Sequence, residues 1–152
     1  MQRSWTYGVY AFFVSLFTFG SGFEIINSTS QQYGGGRQES GQGTRYQIEI
    51  RAKADGEALY ISQLWIGNDY WVIQDVKNLS NPEDYSFKEG DILQIAVQKH
   101  VNNFNPDANL PTTYEPCPIN YQGVALIGYT YNGKQMYEEV KSFKELEIEA
   151  RP

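Results

Sequence analysis

Arg45-Tyr46-Gln47-Ile48-Glu49-Ile50-Arg51-Ala52-Lys53 alternates without a break. In an extended chain, Tyr46, Ile48, Ile50 and Ala52 fall on one side, and Arg45, Gln47, Glu49, Arg51 and Lys53 on the other. A period of two with one apolar and one charged face is the pattern of a half-buried β-strand. The chain on the C-terminal side repeats it. Asp55-Gly56 is a turn signal, and a second strand is predicted from about Ala58 to Ile66. Gly67-Asn68-Asp69 reads as a three-residue connection into a third strand, Tyr70 to Lys77. Asn78 to Lys88 is polar and contains Pro82, so it reads as a loop. Leu93, Ile95, Val97 and Val101 then share one face of a strand over 92–101. Further on, Asn132-Gly133 is the strongest two-residue hairpin signal in the chain, joining strands over 122–131 and 134–141. That register sets Gly128 opposite Tyr137, an aromatic covering a strand glycine, and Ile127 opposite Glu138, a pair with no reason visible in the sequence. In a last strand from Lys144 to Ala150, Leu146, Ile148 and Ala150 are expected inward and Glu145, Glu147 and Glu149 outward.

About seven short strands with regular turns and no convincing amphipathic helix predict an all-β protein. Two antiparallel sheets packed as a sandwich are favoured, with a small β-barrel as the alternative. The pattern resembles immunoglobulin-type sandwiches in architecture alone, because the cysteine pair and the Trp between cysteines are missing. That resemblance implies no function. The chain has 152 residues, 12 Lys+Arg against 18 Asp+Glu, one His and one Cys. Net charge −6 argues against nucleic acid as a partner, which needs a basic patch. A single Cys excludes an intrachain disulfide and a cysteine-based zinc site.

Charge is unevenly spread at the N-terminus. Arg3 is the only charged side chain before Glu24, and the apolar run Val9–Phe19 leads into Gly20-Ser21-Gly22. A basic start, a short apolar core and a small-x-small exit predict a secretory signal peptide over 1–22, with an uncleaved anchor as the alternative. Residues 23–44 include Asn-Ser-Thr-Ser-Gln-Gln-Tyr and five of the fourteen glycines. Composition predicts a flexible spacer there, with the β domain spanning 45–152. A phosphate-cradling glycine loop is not expected, since no strand and helix flank the segment in this reading.

Candidate ligand-binding residues are Trp65, Asn68, Asp69, Tyr70 and Trp71. A three-residue loop would set Trp65 opposite Trp71, and flat aromatic pairs beside Asn and Asp stack on sugar rings and hydrogen-bond their hydroxyls. The competing reading places both Trp residues in the core. Asn103, Asn105, Asp107 and Asn109 recur at every second position, yet the sixth and twelfth places of a calcium loop hold Ala108 and Tyr114. Turn chemistry explains them better. His100, the only His, has no nucleophile motif beside it. Cys117, between Pro116 and Pro118, is expected to be buried. Asn27-Ser28-Thr29 and Asn78-Leu79-Ser80 fit the N-glycosylation pattern. No catalytic set, metal site or cofactor is expected. The sequence predicts an exported module, secreted, periplasmic or at the cell surface, without stable membrane insertion after signal cleavage. Its expected role is non-catalytic, an interaction or structural one with a protein partner. A carbohydrate- or small-ligand-binding domain is the alternative, and a hydrolase using His100 or paired carboxylates is a third.

Overall fold

Strands with one apolar side bury it against a second sheet. The computed structural model, which describes residues 20–35, 41–100 and 115–151, has that arrangement. The strands are β1 (Phe23–Gly35), β2 (Gln42–Ala52), β3 (Leu59–Ile66), β4 (Asp69–Val72), β5 (Lys77–Asn78), β6 (Ile92–His100), β7 (Ala125–Tyr131), β8 (Lys134–Val140) and β9 (Lys144–Arg151). One sheet runs β5-β6-β2-β1-β9 and the other β4-β3-β7-β8. The two face each other as a sandwich and do not close into a barrel. All pairings are antiparallel except β1 with β9, which is parallel. With β9 set aside, β1-β2-β6-β5 against β8-β7-β3-β4 follows the A-B-E-D and G-F-C orders of immunoglobulin-type sandwiches, with β4 in the C′ place.

The core lies where the inner faces meet. Ile48, Ile50 and Ala52 from β2, with Leu93, Ile95 and Val97 from β6, pack on Leu59, Ile61, Leu64, Trp71, Ala125, Ile127 and Tyr129. The chain needs no long-range device to reach this state in β7 and β8. Asn132 and Gly133 both take positive φ (49° and 79°), as a two-residue hairpin of this hand requires, and the expected register holds, with Gly128 opposite Tyr137.

Four expectations are corrected. First, Phe23–Gly35 is not a spacer but the longest strand, flanked by β2 and β9. Composition misled because this strand is held by main-chain pairing to β2 along its length and to β9 from Thr29 onward, and anchored at its ends by Phe23 and Tyr33, both buried. Second, the connection after β3 is Gly67-Asn68, two residues long, with Gly67 at φ 59° and Ile66 opposite Asp69. Glycine first in a two-residue loop is the ordinary requirement of a type II′ turn. Third, the strand expected over 70–77 splits: β4 ends at Val72, and Lys77–Asn78 joins the opposite sheet beside β6. Fourth, Leu146 and Ile148 are not buried in the core but are 39% and 68% exposed, because β9 extends its sheet beyond β1 as an edge strand and its register slips between Gln31 and Tyr33. The N-terminal export signal expected over 1–22 lies, up to residue 19, outside the described residues.

The two sheets differ in length. β1 and β2 have 13 and 11 residues, and no strand of the other sheet exceeds 8. Beyond Ile25 a bulge resets β1, and its inward positions become Ser28, Ser30 and Gln32, opposite Ile48, Tyr46 and Thr44. The inner face therefore turns polar where the facing sheet stops. Lys99, opposite Thr44, reaches across to Asp69 of β4 at 2.6 Å, and this hydrogen bond raises the Lys99 pKa above its ordinary value.

Trp71, 2% exposed and in edge contact with Tyr46, is a core residue. Trp71→Ala is expected to lower unfolding free energy by about 3–5 kcal/mol in urea titration. Tyr129→Phe should leave stability equal or higher, since the buried Tyr129 hydroxyl has no hydrogen-bond partner among the described residues.

Candidate functional site

The two-residue turn decides the fate of the aromatic cluster. It sets Leu64 opposite Trp71 and Trp65 opposite Tyr70, so the two Trp side chains lie on opposite faces of their sheet. Trp71 points into the core. Trp65, 3% exposed, packs on the outer face with Tyr70, Leu126, Tyr121 and Tyr137. Its indole Nε1 donates to the Glu115 carbonyl at 3.1 Å, so the chain leading to β7 lies over it. Gly128 beneath is needed for this packing: a Cβ there would stand 3.1 Å from the Trp65 ring and 2.7 Å from the Gln63 amide oxygen. Asn68 is exposed at the turn, and Asp69 is engaged by Lys99. The five expected site residues thus form no common open surface. The signal for this outcome was in the sequence, since Gly-Asn is itself a two-residue hairpin signature.

The other chemically suggestive residues are accounted for locally. The Tyr33 hydroxyl hydrogen-bonds His100 Nδ1, and the ring lies under the Arg45 guanidinium, 5.8 Å from its centroid. Arg45 in turn pairs with Glu149 at 3.1 Å, linking β2 to β9 across β1. Cys117, expected buried, is exposed, with Sγ 3.2 Å from the Ile119 carbonyl oxygen. Asn78 is buried; its Nδ2 donates to the Ser86 carbonyl and to Asp91, so the second glycosylation pattern is occupied as a loop anchor. Asn27 is exposed on β1. The alternating set Asn103, Asn105, Asp107 and Asn109 lies outside the described residues.

Two concavities follow from the unequal sheets. The first is a groove of about 410 Å³ between the N-terminal half of β1 and the end of β8, bordered by Ser21, Phe23, Ile25, Lys53, Glu138 and Lys141, among others. β9 joins β1 only from Thr29, so among the described residues no strand lies beside the outer edge of Phe23–Ser28. β8 is likewise an edge, paired with β7 alone. The Ser28 hydroxyl donates to the Ser142 carbonyl at 2.6 Å and closes one end. The second concavity, about 310 Å³, lies at the opposite end, where β1 and β2 outrun the facing sheet.

Glu138 gives the groove its character. It faces the same side as Ile127, the pairing that the sequence left without a reason. Burial raises the pKa of its carboxyl above the ordinary value; the Ser21 hydroxyl, Lys53 and Lys141 oppose the rise, and Glu139 adds to it. Among the described residues no cation stands within ion-pair distance of it. A half-buried carboxylate without a salt bridge costs stability unless something arrives to pair with it.

No protein-family model matches this chain, and neither a curated protein nor a solved structure is detectably similar to it. Its function is therefore argued from these surfaces.

The sign of the Glu138 effect is testable. A carboxyl whose folded-state pKa exceeds its ordinary value of 4.5 binds its proton more tightly in the folded chain. Its contribution to stability is then most favourable below that value, and it declines as pH rises toward the folded-state pKa. Glu138→Gln should raise the urea midpoint at pH about 7, and the gain should vanish near pH 3.

Proposed function

We propose that the protein is an exported, non-catalytic interaction module that captures an extended segment of another polypeptide along the open edge of β1. The observation that carries this reading is the half-buried Glu138 carboxylate, without a salt bridge among the described residues, beside a stretch of β1 edge that no described strand covers. An incoming strand supplies main-chain hydrogen bonds to an exposed edge, and alternate side chains fill the adjoining hollow. Here the hollow offers the partly exposed Ile25 to apolar side chains and Glu138 to a Lys or Arg. The partner is accordingly an extended segment with a basic residue among apolar ones. The basic, then apolar, then small-residue pattern before Glu24 supports export, and a cell-envelope or extracellular partner follows from it. The engagement of His100 with Tyr33 supports a binding role over one in nucleophile activation.

The test is an array of extended peptides of roughly eight residues, alternating apolar and polar, with Lys or Glu at the centre. Lys-centred peptides should bind the full-length chain and slow amide exchange within Phe23–Ser28. Glu138→Gln should weaken them while leaving the fold intact. Absence of binding by every Lys-centred peptide, or binding that leaves those amides unprotected, would overturn the proposal.

A further inference from the structure

The second concavity has a different chemistry. Its walls are Ser30 and Gln32 of β1, Thr44 and Tyr46 of β2, and Glu145, Leu146 and Ile148 of β9. Four features set it apart from an accidental gap. Ser30, Gln32 and Thr44 occupy inward positions of a sheet that elsewhere presents Phe23, Ile48 and Ile50 inward, so polar side chains stand where the alternation puts apolar ones. The side chains of Ser30, Gln32, Thr44 and Glu145 form no hydrogen bond or ion pair among the described residues. Leu146 and Ile148 expose apolar surface at the same place, although β9 could have turned polar side chains there. Finally, no lining residue is cationic, and Lys99, which pairs with Thr44 in the sheet, is committed to Asp69. Among the described residues the lining therefore holds hydroxyls, an amide and a carboxylate against an apolar wall, without an available positive charge.

We infer that this cleft is a binding site for a neutral, hydroxyl-rich ligand, a pyranose unit of a glycan. Sugar hydroxyls act as donor and acceptor at once, which Ser, Thr and Gln side chains reciprocate, while a carboxylate accepts from hydroxyl donors with a charge-assisted bond. The C–H face of the ring needs an apolar surface, which Leu146 and Ile148 supply. The absence of a free cation in the lining disfavours phosphate and sulfate, and Glu145 repels them. A volume of about 310 Å³ lies at the small end of ligand pockets, suited to a compact ligand. This site is separate from the β1 edge and does not rest on it. It also replaces the Trp65/Trp71 platform as the place where a sugar would bind, and it uses none of those residues.

Titration of the full-length chain with neutral mono- and disaccharides, followed by amide chemical shifts and melting temperature, decides the matter. Inorganic phosphate and sulfate serve as anionic probes. A binding sugar should shift the amides of Ser30, Gln32, Thr44 and Glu145 and raise the melting temperature. Glu145→Gln and Gln32→Ala, both at exposed positions, should each weaken it about tenfold with an unchanged melting temperature of the free protein. Three results would overturn the inference: no shift with any neutral sugar, a response to the anions alone, or sugar binding that survives both substitutions.

Discussion

The pairing of β1 with β2, from Phe23 opposite Ala52 to Gly34 opposite Gln42, is the constraint on which the rest of this molecule depends. It fixes the length of one sheet at a value that the facing sheet does not match. Where both sheets are present, inward positions are mainly apolar, Glu138 beside Ile127 being an exception. Where only the longer sheet continues, Ser30, Gln32 and Thr44 take the inward positions, and a cleft opens. The same strand also creates the groove at the other end, because β9 covers only its second half. Both concavities are thus consequences of one long strand meeting shorter neighbours.

How much of this was readable from the amino acids depends on what stabilises each element. β2, β6, β7 and β8 advertise themselves through alternation and turn chemistry, and their positions agree with expectation, down to Gly128 opposite Tyr137. β1 does not. Its polar residues lack the alternating apolar side, because its order comes from hydrogen bonds to β2, the next strand in the chain, and to the distant β9, and from two buried aromatic anchors. Composition arguments count side chains, and this strand is held chiefly by its backbone. The error at Gly67 was of another kind. Assigning one residue too many to the loop reversed the facing of every residue after it, turning a core Trp into an apparent surface pair. The oddest pair in the sequence, Ile127 and Glu138, was placed correctly, but its meaning needed the fold, because the neighbours that shape Glu138 come from Ser21, Lys53 and Lys141.

The surface electrostatics separate into two functions. Arg51 with Glu24 ties the neighbouring strands β2 and β1, and Arg45 with Glu149 joins β2 to β9 across β1, both near the surface, where such pairs contribute little to stability. Lys99 with Asp69 is different in geometry, since it spans the gap between the sheets at the splayed end. Glu138 stands apart from all three pairs, as a carboxylate held in a partly desolvated place without a cation of its own.

The parallel pairing of the first and last strands has a mechanical consequence. Phe23 begins β1 near one end of the sandwich, and Arg151 closes β9 at the other, with Thr29 to Gly35 alongside Lys144 to Arg151. A pull applied through the chain before Phe23 and after Arg151 runs along both strands in opposite senses. It loads their hydrogen bonds together in shear rather than peeling them one at a time. Tension would therefore be borne first by the β1–β9 seam, with the Gln31 side chain pinned to the Glu147 carbonyl and Ser28 to Ser142 adding side-chain clasps along it. Under load, the lifetime of the fold is a matter of its unfolding rate rather than its equilibrium stability.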